Sequence, residues 1–134
     1  MRETVKQSIR LLFVDDEVPF ADVVSKRLSK RGMMVTAVHS GTDAIRAIRK
    51  NDFDVAVLDL KMEDMDGIEV LKIFKKAYPE MAVIMLTGHG SEKAAREGLA
   101  CGAYDYLTKP CDLESLVEKI HEAARQGGGS VEST

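Results

Sequence analysis

The chain has 134 residues, which suits one compact domain and leaves little room for a second. It is 45% hydrophobic and 31% charged, with 19 basic and 22 acidic side chains and a formal net charge of −3, so it can bury a core and is not disordered by composition. The balance offers no surplus of cations for wide contact with nucleic-acid phosphates, and the longest apolar runs fall far short of the roughly 20 residues that cross a bilayer. Direct nucleic-acid or membrane binding is therefore not expected. Met1–Arg10 lacks the apolar stretch of a secretory signal, so a cytoplasmic location is expected. Cys101 and Cys111 have no close Cys or His partners of the kind a zinc site requires, and read as reduced structural thiols.

In chain order, Ile9–Val14 reads as a buried strand, followed by Asp15-Asp16-Glu17. Residues 19–31 place Phe20, Val23, Val24, Arg27 and Leu28 at helical spacing, with Gly32 as a stop. A second strand spans 33–38, and Ser40 or Thr42 can cap a helix carrying Ala44, Ile45 and Ile48. Val55–Leu58 is a third strand, ending at Asp59, and Asp66-Gly67 opens a helix with Ile68, Val70, Leu71 and Phe74. A fourth strand, 81–86, ends at Thr87, after which Ser91 caps a helix that Gly102 ends. A fifth strand, 103–107, precedes Lys109-Pro110, and Asp112 caps a helix with the stripe Leu113, Leu116, Val117 and Ile120. The Gly-Gly-Gly-Ser run beyond Gln126 reads as a flexible tail or the start of a linker.

Five repeats of strand then helix predict a (βα)5 sandwich of three layers, a parallel sheet covered on both faces. In such sheets functional side chains gather at the C-terminal ends of the strands. Those ends carry Asp15, Asp16, Glu17, Asp59, Thr87 and Lys109. Converging aspartates repel by about 4 kcal/mol per close pair at an effective dielectric of 20, so a positive group must sit among them. A hard divalent ion such as Mg²⁺ suits all-oxygen ligands, and Lys109 supplies a compact second cation. With the Thr87 hydroxyl, the set surrounds a place where a phosphoryl group could be received.

Phe13-Val14-Asp15-Asp16-Glu17, Val57-Leu58-Asp59-Leu60, Met65-Asp66-Gly67, Leu86-Thr87-Gly88 and Tyr106-Leu107-Thr108-Lys109-Pro110, in this order and each at a predicted strand or helix end, resemble the receiver domain of bacterial two-component response regulators. The resemblance covers residues 8–125, with 1–7 as an N-terminal extension and 126–134 as the tail. It implies a flavodoxin-like sheet of order 2-1-3-4-5. It also implies that Asp59 accepts a phosphoryl group from a phosphohistidine of a sensor histidine kinase or histidine phosphotransfer protein. Asp15, Asp16, Asp59 and the Lys61 backbone carbonyl would hold Mg²⁺, with Mn²⁺ as a substitute, and a cis peptide before Pro110 would aim Lys109. Lys61 and His89 are candidate modulators of dephosphorylation. Tyr106, read alone, is a core aromatic; the resemblance makes it a switch residue with Thr87.

The resemblance further implies no steady enzymatic turnover beyond self-phosphorylation and slow self-dephosphorylation, and a switched surface on the fourth helix, fifth strand and fifth helix that a downstream protein or covalently linked effector reads. A phosphorylation-dependent homodimer is compatible with it, although the fourth and fifth helices lack a complementary charge pattern that would dictate one. Two positions depart from the common pattern: Glu63 stands where proline is frequent, and Cys111 where an aromatic often follows Lys-Pro. The competing readings are a phosphorylation-independent interaction module of the same fold, an aspartate-nucleophile phosphatase of the haloacid dehalogenase type and a flavodoxin-like carrier. Lys61 occupies the position where such a phosphatase needs its second aspartate, and Asp15-Asp16-Glu17 would repel a flavin phosphate. His39 and His121 lack metal-ligand spacing and are placed away from the cluster.

Overall fold

β1 (Arg10–Val14), β3 (Val55–Asp59) and β4 (Ala82–Thr87) are apolar almost throughout, a pattern strands carry when both of their faces are covered. The computed structural model describes residues 8–88 and 90–132, with side chains to residue 126. In it these three strands occupy the middle of a parallel five-stranded sheet of order β2-β1-β3-β4-β5. β2 (Met34–Val38) and β5 (Asp105–Thr108) form the edges, and Met34 on β2 is 62% exposed. The connections are α1 (Val18–Lys30), α2 (Gly41–Lys50), α3 (Gly67–Ala77) and α4 (Glu92–Ala100), and α5 (Leu113–Glu132) closes the chain. The doubly wound (βα)5 architecture predicted from the sequence is the one observed.

Alternation along each strand divides the interior in two. Leu11, Phe13, Val57 and Ile84 pack with Leu28 of α1 and Ile120 of α5, whereas Leu12, Val14, Leu58 and Met85 pack with Ile48 of α2 and Leu71 and Phe74 of α3. The register aligns Val14 with Leu58, Asp59 with Leu86 and Thr87 with Thr108, so the C-terminal strand ends lie side by side.

Helix ends follow the sequence signals with one exception. Gly32 and Gly102 adopt φ of 89° and 107°. Each closes its helix with paired backbone bonds, Gly32 N to Ser29 O with Met33 N to Leu28 O, and Gly102 N to Leu99 O with Ala103 N to Gly98 O. Ser40 caps α2 by accepting from Asp43 N at 3.0 Å, Asp66 caps α3 by accepting from Ile68 N at 3.0 Å, and the Asp112 carboxylate accepts from the Ser115 hydroxyl at 2.6 Å as α5 begins. Ser91 makes no side-chain cap bond, because its backbone (φ −104°, ψ 25°) departs from the extended conformation that brings a hydroxyl over the first turn.

Two boundaries also differ from the sequence reading by more than one residue. β5 begins at Asp105 rather than 103, since Ala103 completes the turn that ends α4. The helical backbone of α5 runs to Glu132, through the glycines assigned to a flexible tail. Extending a formed helix costs far less than starting one, and this one starts on a stripe packed through Ala123. Residues 1–7, the predicted extension, and residues 133–134 lie outside the described residues.

Gly67 touches the backbone that leads out of β3: a Cβ there would stand 2.5 Å from Leu60 Cα and 2.7 Å from Leu60 O. Gly67→Ala should therefore destabilise the fold by about 1–3 kcal/mol, the usual cost of overpacking, read as a lower urea midpoint at unchanged slope.

Candidate functional site

The candidate side chains sit where the sheet's backbone bonding extends one step past its strands. Asp15 N donates to Val38 O at 3.1 Å, Leu60 N to Leu86 O at 3.1 Å and Lys109 N to Thr87 O at 2.6 Å. Asp15, Asp59 and Thr87 are the buried polar residues of this end; Asp59 is 5% exposed and Thr87 3%. Carboxylate oxygens of Asp15, Asp16 and Asp59 all lie within 4.8 Å of one another.

Each carboxylate is oriented by a neighbour. Asp15 Oδ1 accepts from Glu17 N at 2.9 Å and Oδ2 from Lys109 Nζ at 2.9 Å. Asp59 Oδ1 accepts from Lys61 N at 3.1 Å, while its Oδ2 lies 3.5 Å from Lys109 Nζ. Asp16 Oδ2 accepts from Glu63 N at 3.1 Å. The Thr87 hydroxyl faces Leu107 O at 3.5 Å. The Lys109–Pro110 peptide is cis.

Three acids share a single ammonium here, since Lys109 Nζ also lies 3.2 Å from Glu17 Oε1, and Asp16 adds a fourth carboxylate beside them. Burial pushes the Asp59 carboxyl up to about 6, and the Asp15 charge adds to the rise while the Lys61 N–H and the Lys109 charge oppose it. Burial alone would lower the Lys109 ammonium, but its bond to Asp15, the charges of Asp59 and Asp15 and its bond to Glu17 hold it above the ordinary lysine value. Uncompensated negative charge on all-oxygen donors fits a hard divalent cation such as Mg²⁺.

Asp15, Asp16, Asp59 and Lys109 thus meet as the sequence indicates, while Thr87 ends the neighbouring strand, its backbone carbonyl accepting from Lys109 N and its hydroxyl facing Leu107 O. Lys61 reaches the site through its backbone, and its side chain is exposed. Tyr106 stands apart, half-buried on β5 against the core under α2 and α3. His89 lies outside the described residues.

One expectation needs correction. His39 is not remote, since its ring Nδ1 lies 3.1 Å from Asp15 O and donates to it in the Nδ1-protonated tautomer. Of the residues at helical spacing on α1, Leu28 is buried but Phe20 is 37% exposed, its ring centroid 4.6 Å from Lys109 Nζ, a contact the spacing did not indicate. The Glu63 N–H was missed altogether, since no side-chain type announces a backbone donor.

A family model described as the response regulator receiver domain matches residues 11–121. The chain belongs to that family. Over 119 residues this receiver domain is 35% identical to the transcriptional regulatory protein ZraR of Salmonella typhimurium strain LT2, covering 89% of the chain and 27% of the relative. Over 122 residues it is 35% identical to the uncharacterized transcriptional regulatory protein YkoG of Bacillus subtilis strain 168, covering 91% and 54%. The receiver thus spans about a quarter to a half of the length of these curated relatives. A solved CheY-like receiver domain from Methanospirillum hungatei JF-1 superposes with a TM-score of 0.88 at 31% identity, over 92% of this chain and 99% of that one.

The lifted Asp59 has a consequence for stability. The native receiver holds the Asp59 proton more tightly than the unfolded chain, whose aspartates titrate near 4, so this group's contribution falls as pH rises from about 4 to about 6. In Mg²⁺-free buffer Asp59→Asn should match the parent at pH 4 and be more stable by on the order of 2 kcal/mol above pH 7, as read from urea midpoints across that range.

Proposed function

We propose that Asp59 is the phosphoacceptor of this receiver and that Asp15, Asp16 and Lys109 prepare it. The observation that carries this reading is the position of Asp59: buried at the end of the central strand β3, with carboxylate oxygens within 4.8 Å of Asp15 and Asp16 and 3.5 Å from Lys109 Nζ. The donor is a phosphohistidine of a sensor histidine kinase or a histidine phosphotransfer protein. A carboxylate oxygen of Asp59 attacks phosphorus, the P–N bond breaks, and the imidazole leaves with the electron pair and takes up a proton. Lys109 moves from Asp15 toward a phosphoryl oxygen, replacing one ion pair by another. Asp15, Asp16, Asp59 and the Lys61 carbonyl are the groups that would hold Mg²⁺, or Mn²⁺ in its place; when bound, the ion offsets the negative charge of the transferring phosphoryl oxygens. The acyl phosphate is then lost slowly to water, with Lys61 and His89 as the candidate modulators of that rate.

Phosphorylation adds up to about two negative charges and three acceptor oxygens. The Thr87 hydroxyl, which among the described residues has a 3.5 Å contact to Leu107 O as its one hydrogen bond, turns inward to donate to one of them, and Tyr106 follows into the space it leaves. The changed surface of α4, β5 and α5 is read by a downstream protein or by an effector domain in the same polypeptide, in the cytoplasm, with or without a homodimer.

Acetyl phosphate with Mg²⁺ should add roughly 80 Da to the intact chain, the mass of one phosphoryl group. The adduct should disappear in Asp59→Asn and fall sharply in Asp16→Ala or with excess chelator. An unchanged adduct in Asp59→Asn would remove Asp59 from this role. For the switch, beryllofluoride with Mg²⁺, in which the fluoroberyllate on Asp59 stands in for the phosphoryl group, should shift amide resonances across residues 91–120, and Thr87→Ala should suppress those shifts. Shifts confined to the loops around Asp15 and Asp59 would reject the Thr87 and Tyr106 route.

A further inference from the structure

The loop between β3 and α3 is fastened to two other segments of the chain. On one side Asp64 reaches the first turn of α2: its Oδ1 accepts from Gly41 N at 2.9 Å, and its Oδ2 accepts from Thr42 N at 3.1 Å and from Thr42 Oγ1 at 3.0 Å. The first N–H groups of a helix have no partner within it, and here a carboxylate 22 or 23 residues away takes two of them. Those N–H donors hold the Asp64 carboxyl below its ordinary value, so it is anionic at neutral pH. Met65 closes the same junction, lying so near Gly41 that a Cβ there would stand 2.8 Å from its sulfur. On the other side, one residue before Asp64, the Glu63 N–H donates to Asp16 Oδ2 at 3.1 Å. Among the described residues that N–H is the one hydrogen-bond donor to the Asp16 carboxylate, whereas Asp15 and Asp59 are each held by a backbone N–H and by Lys109.

We propose that Asp64 is a positioning residue for the cation site: by tying the β3–α3 loop to the start of α2, it holds the Glu63 N–H against Asp16 and sets the orientation in which Asp16 meets a divalent ion. The proposal rests on the reading of the acidic cluster as a Mg²⁺ site. Asp64 touches neither ion nor phosphoryl group and acts through the loop. When the tie is cut, Asp16 loses its fixed donor, and ion binding must then order both the carboxylate and the loop. Partners of this outer kind commonly govern metal affinity by tenfold or more.

The test is a Mg²⁺ titration of the full chain by amide NMR, with thermal midpoints measured without Mg²⁺ as a check of folding. Asp64→Ala should weaken Mg²⁺ binding about tenfold and move the Gly41 and Thr42 amide resonances, and Asp64→Asn, which keeps one carbonyl acceptor, should recover part of the loss. Glu63→Ala, which keeps the N–H, should bind Mg²⁺ like the parent; and because this chain departs at Glu63 from the proline frequent in the family and holds Asp16 by the N–H it thereby gains, Glu63→Pro, which removes that N–H, should here bind as weakly as Asp64→Ala. A folded Asp64→Ala or Glu63→Pro whose affinity stays within about twofold of the parent, well below the usual effect of such partners, overturns the brace. If Asp64→Ala does not fold, the two Glu63 variants decide between the outcomes by themselves. A parent chain that binds no Mg²⁺ overturns the cation-site reading, and the brace with it.

Discussion

Lys109 Nζ lies within 3.5 Å of oxygens from Asp15, Glu17 and Asp59, and the arrangement of the whole acidic end depends on that one ammonium. Two like charges about 4 Å apart repel by about 4 kcal/mol at an effective dielectric of 20, so the cluster could not remain ionised and buried without a cation at its centre. One ammonium cannot balance four carboxylates. Burial, with the Asp15 charge adding to it, raises the Asp59 carboxyl, and the negative charge that one ammonium leaves unbalanced suits the end of the sheet to a divalent ion. The same imbalance works against the stability of the fold, as functional sites commonly do.

Lys109 and Asp15 are 94 residues apart in sequence, and their 2.9 Å contact is set by the sheet. Parallel strands in matched register bring the ends of β1, β3, β4 and β5 to one level. The extra backbone bonds from Asp15, Leu60 and Lys109 then carry the rigidity of the central strands into the first residues beyond them. Groups that must be held accurately sit on that rigid margin, where a small displacement would cost much of the benefit of placing them together. The loops further out depend on side-chain ties: Asp64 to α2, Glu63 N–H to Asp16, and Lys109 to the face of Phe20.

Much of this was legible in the amino-acid order, for reasons that concern particular residues. Leu11–Val14, Val55–Leu58 and Ala82–Leu86 are unbroken apolar runs, which a parallel sheet covered on both faces requires, and charged or hydroxyl residues follow each of them directly. Gly32 and Gly102 marked helix ends because left-handed backbone favours glycine. Ser91 misled because capping depends on backbone angles that residue type does not determine. The Phe20 contact was not legible, because its ring lies beneath an ammonium contributed from the far end of the chain.

From the sequence alone came the strand and helix order, the fold class, and the placement of Asp15, Asp16, Asp59, Thr87 and Lys109 at the C-terminal ends of the strands, because periodicity and residue type are local properties and parallel sheets gather strand ends by rule. Tertiary structure decided which of these groups touch, by what distance, and what holds them: the sharing of Lys109 among three acids, the Glu63 N–H on Asp16, the Asp64 tie to α2 and the His39 ring against Asp15. Those contacts join positions 22 to 94 residues apart, and several use backbone groups that every residue carries. No pattern of side chains along the chain encodes them, because they exist only once the loops have followed their paths across the end of the sheet.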